Sequence, residues 1–578
     1  MKYIFIFLFA LIITVSCLFS ATGTELADYV FKNGQVYTVN TEEPWAESVA
    51  VKGNKIIFVG SNSEVEKFID SKTEIMDLRG KMLMPGFIDG HNHLICGAAG
   101  KRGINLAGSK NKEEMLKLIG DYIMANPEKP VYMGYNWNFV MFGGKEGTRQ
   151  ELDAICKDKP LIFFSDDNHH AWFNTKSMEL TGVTKDTADP SPGSTYLLRE
   201  PDGTPSGVGV EYASWSNIAV ATGVMGGREM LVQVMEELFP TLPNYGITAC
   251  HEMGIFAPGL EDGYVGFDLL SEWEKEGKLK CRIVGVYGIR DAGEKPETHI
   301  QKLQNWNKKY SSELVQVTSL KIWADGTFLS HTGVQLEPYK DRPETKGESD
   351  WTADVLAEWI EMAQLAGFDT HIHVEGDGSV RRSLDAIEKV QKKHGINGRR
   401  NALHHICIIH PDDLTRFKSL GVGANATPVW FVNYKGQYEE AIKIFGQEKI
   451  DKEFAMQKKL IEMGVNVSFG SDIPGTDPEE ISPLYEIQAA VTGIVPGDTT
   501  TVIPPKDRLP TLEQLLYGYT LAGAYQMHME DKIGSIEEGK LADLIILDRN
   551  LFDVPADELS TVKVLFTMMN GKVIRNVL

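Results

Sequence analysis

"LMPGFIDGHNHL", residues 83–94, is the stretch on which the fold turns. Pro85-Gly86 opens a short apolar run, and the run ends in His91 and His93. Side chains at i and i+2 of a β-strand share one face. Two imidazoles therefore stand side by side at the end of a buried strand. A metal ion would explain the pair, and so would chance; the rest of the chain decides.

Seven further apolar runs of strand length follow. In order they are "GITACHEMG", "CRIVGVYG", "LKIWADG", "FDTHIHVEGD", "NALHHICII", "GVGANATP" and "VNVSFGSD". Most lead into an amphipathic segment, such as "SVRRSLDAIEKVQKKH" after the fifth strand and "PDDLTRFKSL" after the sixth. Eight such units predict an α/β chain, a (β/α)8 TIM barrel over residues 85–533, with its site at the C-terminal ends of the strands. The spacing breaks once, between the first two strands. Residues 97–225 form an insertion with strand-like runs of its own, "VYMGYNWNFVMF" and "PLIFFSDDNHHAWF". It reads as a lid or side domain beside the barrel mouth.

The chain ends resemble each other. Residues 26–84 alternate around Asn33-Gly34 and Gly53-Asn54, which are two-residue hairpin signals. Residues 534–578 hold the strand "LADLIILD" and a hairpin around Asn570-Gly571. Neither end has enough apolar surface to stand alone. Together they are expected to form one small β-sandwich.

Length and charge bound the function. A chain of 578 residues has room for a large core and more than one domain. Its 42% apolar and 24% charged content is that of an ordinary globular protein. Against 80 acidic side chains stand 58 basic ones, a net charge of −22, and no basic stripe is visible. That argues against nucleic acid or an anionic membrane surface as a partner. A small-molecule substrate is the expected partner, and a homo-oligomer is left open. Residues 1–22 place a lysine before an apolar run and small residues, the layout of a signal peptide. The mature chain is therefore expected to be exported, periplasmic or extracellular, with no stable membrane insertion after cleavage. A lipid anchor at Cys17 is the alternative, although Thr14 suits that signal poorly. The other cysteines are scattered, form no CxxC pair and read as small core residues.

The polar residues on the predicted strands carry the chemistry. The first strand ends in His91 and His93, and the fourth holds Lys321. The fifth holds His371 and His373, the sixth His404 and His405, and the eighth ends in Asp472. Barrel-facing positions normally take branched apolar side chains. Buried lysines, histidines and aspartates cost free energy unless they pair or bind metal. One lone histidine would be a satisfied core group. Polar residues on five strands near one rim need another account.

These motifs resemble a known family. "PGFIDGHNHL", "KIWADGTFLSHTG", "HVEGD", "HPDDLTRF", "GSDIPG" and "IGSIEEGKLADLIILD" look like the amidohydrolase superfamily, nearest its YtcJ-like branch, which includes N-substituted formamide deformylases. The resemblance implies His91, His93, Lys321, His373, His405 and Asp472 as metal ligands. It implies one or two divalent ions, zinc being favoured by the ligand types, with Lys321 carboxylated where two ions are bridged. For Lys321 the alternative is a salt bridge, with Asp325 nearby in sequence; for Asp472 it is a helix cap. The chain departs from the family at Glu375 in "HVEGD", where "HAIGD" is common. It departs again at His404, where an acid is common, and at "DNH" (Asp167 to His169), where "DGH" is common.

The implied activity is hydrolysis of a C–N, amide-like bond. Asp472 is the expected general base and His405 a second catalytic group. The same centre acting on an ester, lactone or cyclic imide, or as a deaminase, stays open. So does an exported metal-site binding protein without turnover. Tyr135, Trp137 and His169 are candidates to wall the substrate pocket, although the insertion's aromatics also suit its own core. Glu211, His331, and His251 with Glu252 are weaker pocket candidates.

Overall fold

The computed structural model describes residues 25–578 apart from 96, 139–141, 143–146, 255–263, 396–397 and 499–501. Residues 1–22, where a signal peptide is expected, with Cys17, and also Cys96, lie outside the described residues. The stretch 83–94 belongs to two bodies at once. Met82–Pro85 is a strand of the terminal sheets, and Phe87–Asn92 is a barrel strand. Gly86 is the joint between them: a Cβ there would stand 2.3 Å from the Thr248 hydroxyl of the neighbouring strand.

The barrel strands are β1 (Phe87–Asn92), β2 (Ile247–Glu252), β3 (Arg282–Ile289), β4 (Val315–Trp323), β5 (Asp369–Val374), β6 (Ala402–His405), β7 (Gly423–Ala426) and β8 (Val467–Phe469). They pair in parallel in sequence order, so the (β/α)8 expectation is borne out strand for strand. Past the end of β8 the chain closes on β1. The Asp472 N–H donates to His91 O at 2.7 Å and the His93 N–H to Ile473 O at 3.1 Å. Only glycine permits this approach at 470, where a Cβ would lie 2.2 Å from the His91 nitrogen. Ser471 then donates from its N–H and its hydroxyl to the buried Asp89 carboxylate, at 3.0 and 2.7 Å.

Amphipathic helices cover the barrel. After β5, helix Asp377–His394 buries Val380, Leu384, Ile387 and Val390, a 3–4 spacing, against the sheet. Lys392, Lys393 and His394 in its last turn complement the helix dipole, and Gly395 ends it.

The two chain ends share a sheet. Its order is Lys572–Asn576, Val564–Met569, Leu544–Leu547, Met82–Pro85, Gln35–Tyr37, Trp45–Ala46. Phe31, Val49 and Val51 of the second terminal sheet pack against its Leu83, Ile546 and Phe566.

The insertion builds a separate sheet, in the order Tyr196–Arg199, Pro205–Val210, His170–Phe173, Leu161–Ser165, Tyr132–Trp137, Ile104–Asn105. It is fastened to the barrel rim by Asp477. That carboxylate takes Lys101 at 3.1 Å and Asn136 at 2.9 Å from the insertion, and Lys435 at 3.0 Å from the barrel side. Among the described residues, no helix is long and apolar enough to cross a membrane.

Candidate metal centre

Strand ends deliver the polar groups to one point. His91 Nε2 stands 3.2 Å from Asp472 Oδ1, and His93 Nε2 stands 3.4 Å from the same oxygen. His405 Nδ1 lies 3.7 Å from Asp472 Oδ2. The His373 and His405 ring centroids are 4.3 Å apart. Ligand atoms of His91, His405 and Asp472 fall within 4.8 Å of one another. The local backbone is held for this purpose: His405, Ile406 and Asp472 adopt positive φ values of 70°, 46° and 47°. Such conformations cost about 1–3 kcal/mol each and gather at functional sites.

The rings are aimed from behind. His93 Nδ1 donates to Gly254 O at 2.8 Å, which turns its Nε2 toward Asp472. His405 stacks on Trp430, with centroids 5.6 Å apart and planes 14° apart.

Lys321 decides between the open readings of its role. It is fully buried, and its Nζ has no hydrogen-bond partner among the described residues. Asp325 is not its partner. That carboxylate already accepts the N–H groups of Val334, Glu375 and Gly376 at 3.0–3.1 Å, and the Ser379 hydroxyl. Burial pulls Lys321 down to about 7, with Asp472 opposing, so its amine sheds a proton easily. Burial also pushes Asp472 up to about 7, with Lys321 opposing. Burial holds His91, His373 and His405 well below the ordinary imidazole range, and His93 at about 3. Neutral imidazoles, a carboxylate, an amine whose charge burial disfavours and a His91 Nε2 with no hydrogen-bond partner among the described residues form a donor set that fits a divalent cation. They do not form a self-satisfied core network, because Lys321 Nζ and His91 Nε2 have no hydrogen-bond partner among the described residues.

The insertion supplies the wall opposite. His169 lies 6.1 Å, ring to ring, from His373. It is gripped by Glu211 at 2.6 Å, and Glu211 also accepts from the Thr332 hydroxyl at 2.6 Å. Burial lowers the imidazole, but Glu211, Asp167 and Glu375 outweigh it and push His169 up to about 9. An open cavity of about 1030 Å³ joins these groups; Trp215, Trp323, Phe328 and Trp430 line it.

An amidohydrolase family model matches residues 74–575. The chain belongs to the amidohydrolase family. It is 24% identical to the N-substituted formamide deformylase of Arthrobacter pascens, over 95% of this chain and 98% of that one. It is 27% identical to Protein LONG AFTER FAR-RED 3 of Arabidopsis thaliana, over 95% of this chain and 91% of that one. A solved structure of an uncharacterized metal-dependent hydrolase from Pyrococcus horikoshii OT3 superposes with a TM-score of 0.70 at 24% identity, covering 91% of this chain and 99% of that one.

Five pocket candidates of this amidohydrolase do not line the cavity. Trp137 is fully buried in the insertion's own core with Tyr132, Phe163 and Trp172, and its indole N–H donates to Phe163 O. Tyr135 sits in the fastening to the rim, under Lys101 at 5.5 Å. His331 is carried off by a turn (φ 58°) and pairs with Asp341 at 2.9 Å. His251 and Glu252 are buried below the rim, not in the cavity. Arg290, Trp323 and Trp430 face the cavity and were not singled out from sequence. The signal for Trp323 was present, two residues after Lys321 on one strand face. Arg290, one residue past β3, gave none.

Proposed function

We propose that this protein is a metal-dependent hydrolase that cleaves a C–N bond in a small amide-like substrate. The carrying observation is the meeting of His91, His93, His373, His405 and Asp472 beside a buried lysine amine that has no hydrogen-bond partner among the described residues. Those residues, with Lys321, would hold one or two divalent ions, and imidazole and carboxylate donors favour zinc. An uncharged Lys321 amine is the form that carbon dioxide converts to a carbamate, which would give it an oxygen ligand. When bound, the cation would supply Lewis acidity, lowering the pKa of a water from about 16 to near 7 and polarising a carbonyl.

The chain's own groups do the rest. Asp472 takes a proton from the attacking water and delivers it to the leaving nitrogen. Protonated His169, fixed by Glu211, lines the same cavity as Asp472 and stabilises charge growing on the carbonyl oxygen. Trp215, Trp323, Phe328 and Trp430 offer flat apolar faces that suit an aromatic or bulky apolar substituent. The signal-like residues 1–22 support export, with Cys17 as the site of a lipid anchor should one be attached.

Elemental analysis of protein purified with and without bicarbonate, followed by a panel of N-substituted amides, esters and cyclic imides, tests this reading. Metal near one or two equivalents with chelator-sensitive amide cleavage is expected. Metal bound without hydrolysis of any compound would replace the enzyme with a binding protein, and no metal at all would end the proposal.

A further inference from the structure

A file of buried imidazoles runs from the rim into the barrel, and the proposed chemistry leaves it unexplained. His91, His404 and His371 are each at most 1% exposed. His404 Nδ1 lies 2.8 Å from His91 Nδ1, and His404 Nε2 lies 2.9 Å from His371 Nδ1. The rings meet edge to face, with centroids 4.7 and 5.1 Å apart. The file ends at His371, which sits edge-on to His251 at 4.8 Å. Gln526 fixes His251 in turn, 2.7 Å from its Nδ1.

Each link between two neutral imidazoles needs one N–H and one lone pair. Stacked imidazolium charges are too costly in an apolar core, so the rings are neutral. His91 Nε2 faces Asp472 and has no hydrogen-bond partner among the described residues. For that nitrogen to offer its lone pair to a cation, the His91 proton must sit on Nδ1. His404 must then accept on Nδ1 and carry its own proton on Nε2. That proton is donated to His371 Nδ1. One requirement at the rim therefore fixes the tautomers of the whole file.

We propose that His404, backed by His371, is a positioning residue that locks His91 in the Nδ1–H tautomer and so sets the affinity of the site for its cation. The proposal rests on the metal-site reading above. It concerns a position where this chain carries an imidazole rather than an acid, so the support given to His91 is directional and uncharged. Groups that orient a ligand imidazole are typically worth about 10–100-fold in metal affinity.

The test uses the full mature chain. Zinc affinity is measured by chelator competition for the parent, His404→Leu, His404→Gln and His371→Leu, with circular dichroism as the folding control. The ¹⁵N shifts of the His91 ring are read in the metal-free parent. His404→Leu is expected to weaken zinc by about 10–100-fold. His404→Gln, whose carbonyl accepts and whose amide donates, should return to within a few-fold of the parent. His371→Leu should weaken binding less than His404→Leu. A folded His404→Leu that binds zinc like the parent would overturn the proposal, as would a His404→Gln as weak as the leucine variant. If His404→Leu does not fold, the glutamine variant and the ¹⁵N spectrum decide, and a His91 proton on Nε2 refutes the lock. A parent that binds no zinc would instead defeat the metal reading, while the spectrum still reports on the file.

Discussion

The barrel rim and the insertion above it carry similar numbers of eye-catching side chains and use them in opposite ways. On the rim, Lys321, Asp472 and four histidines come from rigid strand ends and point at one another. In the insertion, Trp137, Trp172 and Phe163 turn inward to make a private core, and only a few groups, His169 and Glu211 among them, reach the cavity. Polar residues on buried strands therefore report chemistry where hydrogen bonds such as those to Asp89 do not repay their burial. Aromatic residues in a side domain report packing unless geometry says otherwise.

The comparison breaks most readily at Asp472. Asp472→Asn keeps the shape and removes the proposed base, so kcat/KM on any cleaved amide should fall by about 10²–10⁴-fold with the fold intact. A rate within tenfold of the parent would show that the rim does not work as described.

Trp137 tests the other half. It is fully buried, and Trp137→Ala should cost about 3–5 kcal/mol of stability. Relative kcat/KM across the amide panel should stay put. Trp430→Ala, beside His405 on the cavity wall, should show the reverse pattern: shifted preferences and a smaller stability loss. If Trp137→Ala reorders the substrates, the insertion reaches the site in a way its packing hides.

His169 joins the two regions, and its pH response has a definite sign. The folded state raises its pKa from about 6.5 to about 9 through Glu211. The linked stability is complete below about 6.5 and disappears as pH climbs through about 9, a span on the order of 3 kcal/mol. Thermal midpoints recorded from pH 6 to 10 should decline across that window in the parent. The Glu211→Gln variant, lacking the carboxylate that holds the proton, should show a much flatter profile there.

Much of this was legible in the chain itself. Eight strands announced themselves because each is a short apolar run and most are followed by a helical pattern. The ligand residues stood out because His, Lys and Asp on such strands are chemically out of place. Lys321 could not be settled from sequence, since Asp325 lay close by in the chain. Only coordinates show that carboxylate already saturated by Val334, Glu375, Gly376 and Ser379. Trp137 misled for a physical reason. Alternation would place it on the face of Tyr135, but the register shifts between Gly134 and Trp137, with Asn136 at φ 65°, and a bulge of this kind turns the indole into the core. His331 misled because nearness to Lys321 along the chain says nothing about where a turn sends it. Arg290 and Trp430 sit on loops after strands, where position in space has no periodic trace in sequence.

The smallest effect sharpens the boundary between the two regions. Asp477 binds Lys101 and Asn136 of the insertion and Lys435 of the barrel side. The Lys101 side chain is wholly buried, whereas Lys435 keeps 15% exposure. Lys435→Ala leaves Asp477 two partners, so it should cost only about 1 kcal/mol. Burial would raise the Asp477 carboxyl, but the two lysines outweigh it and hold it low. Its contribution is thus present above the unfolded value of about 3.9 and fades as pH falls through the lower folded value. The stability gap between parent and Lys435→Ala should therefore be steady from neutral pH down to about 4 and narrow below that. A gap that ignores acid would mean that Lys435 acts through packing rather than charge. Charge at Asp477 would then reach the insertion through Lys101 and Asn136 rather than Lys435.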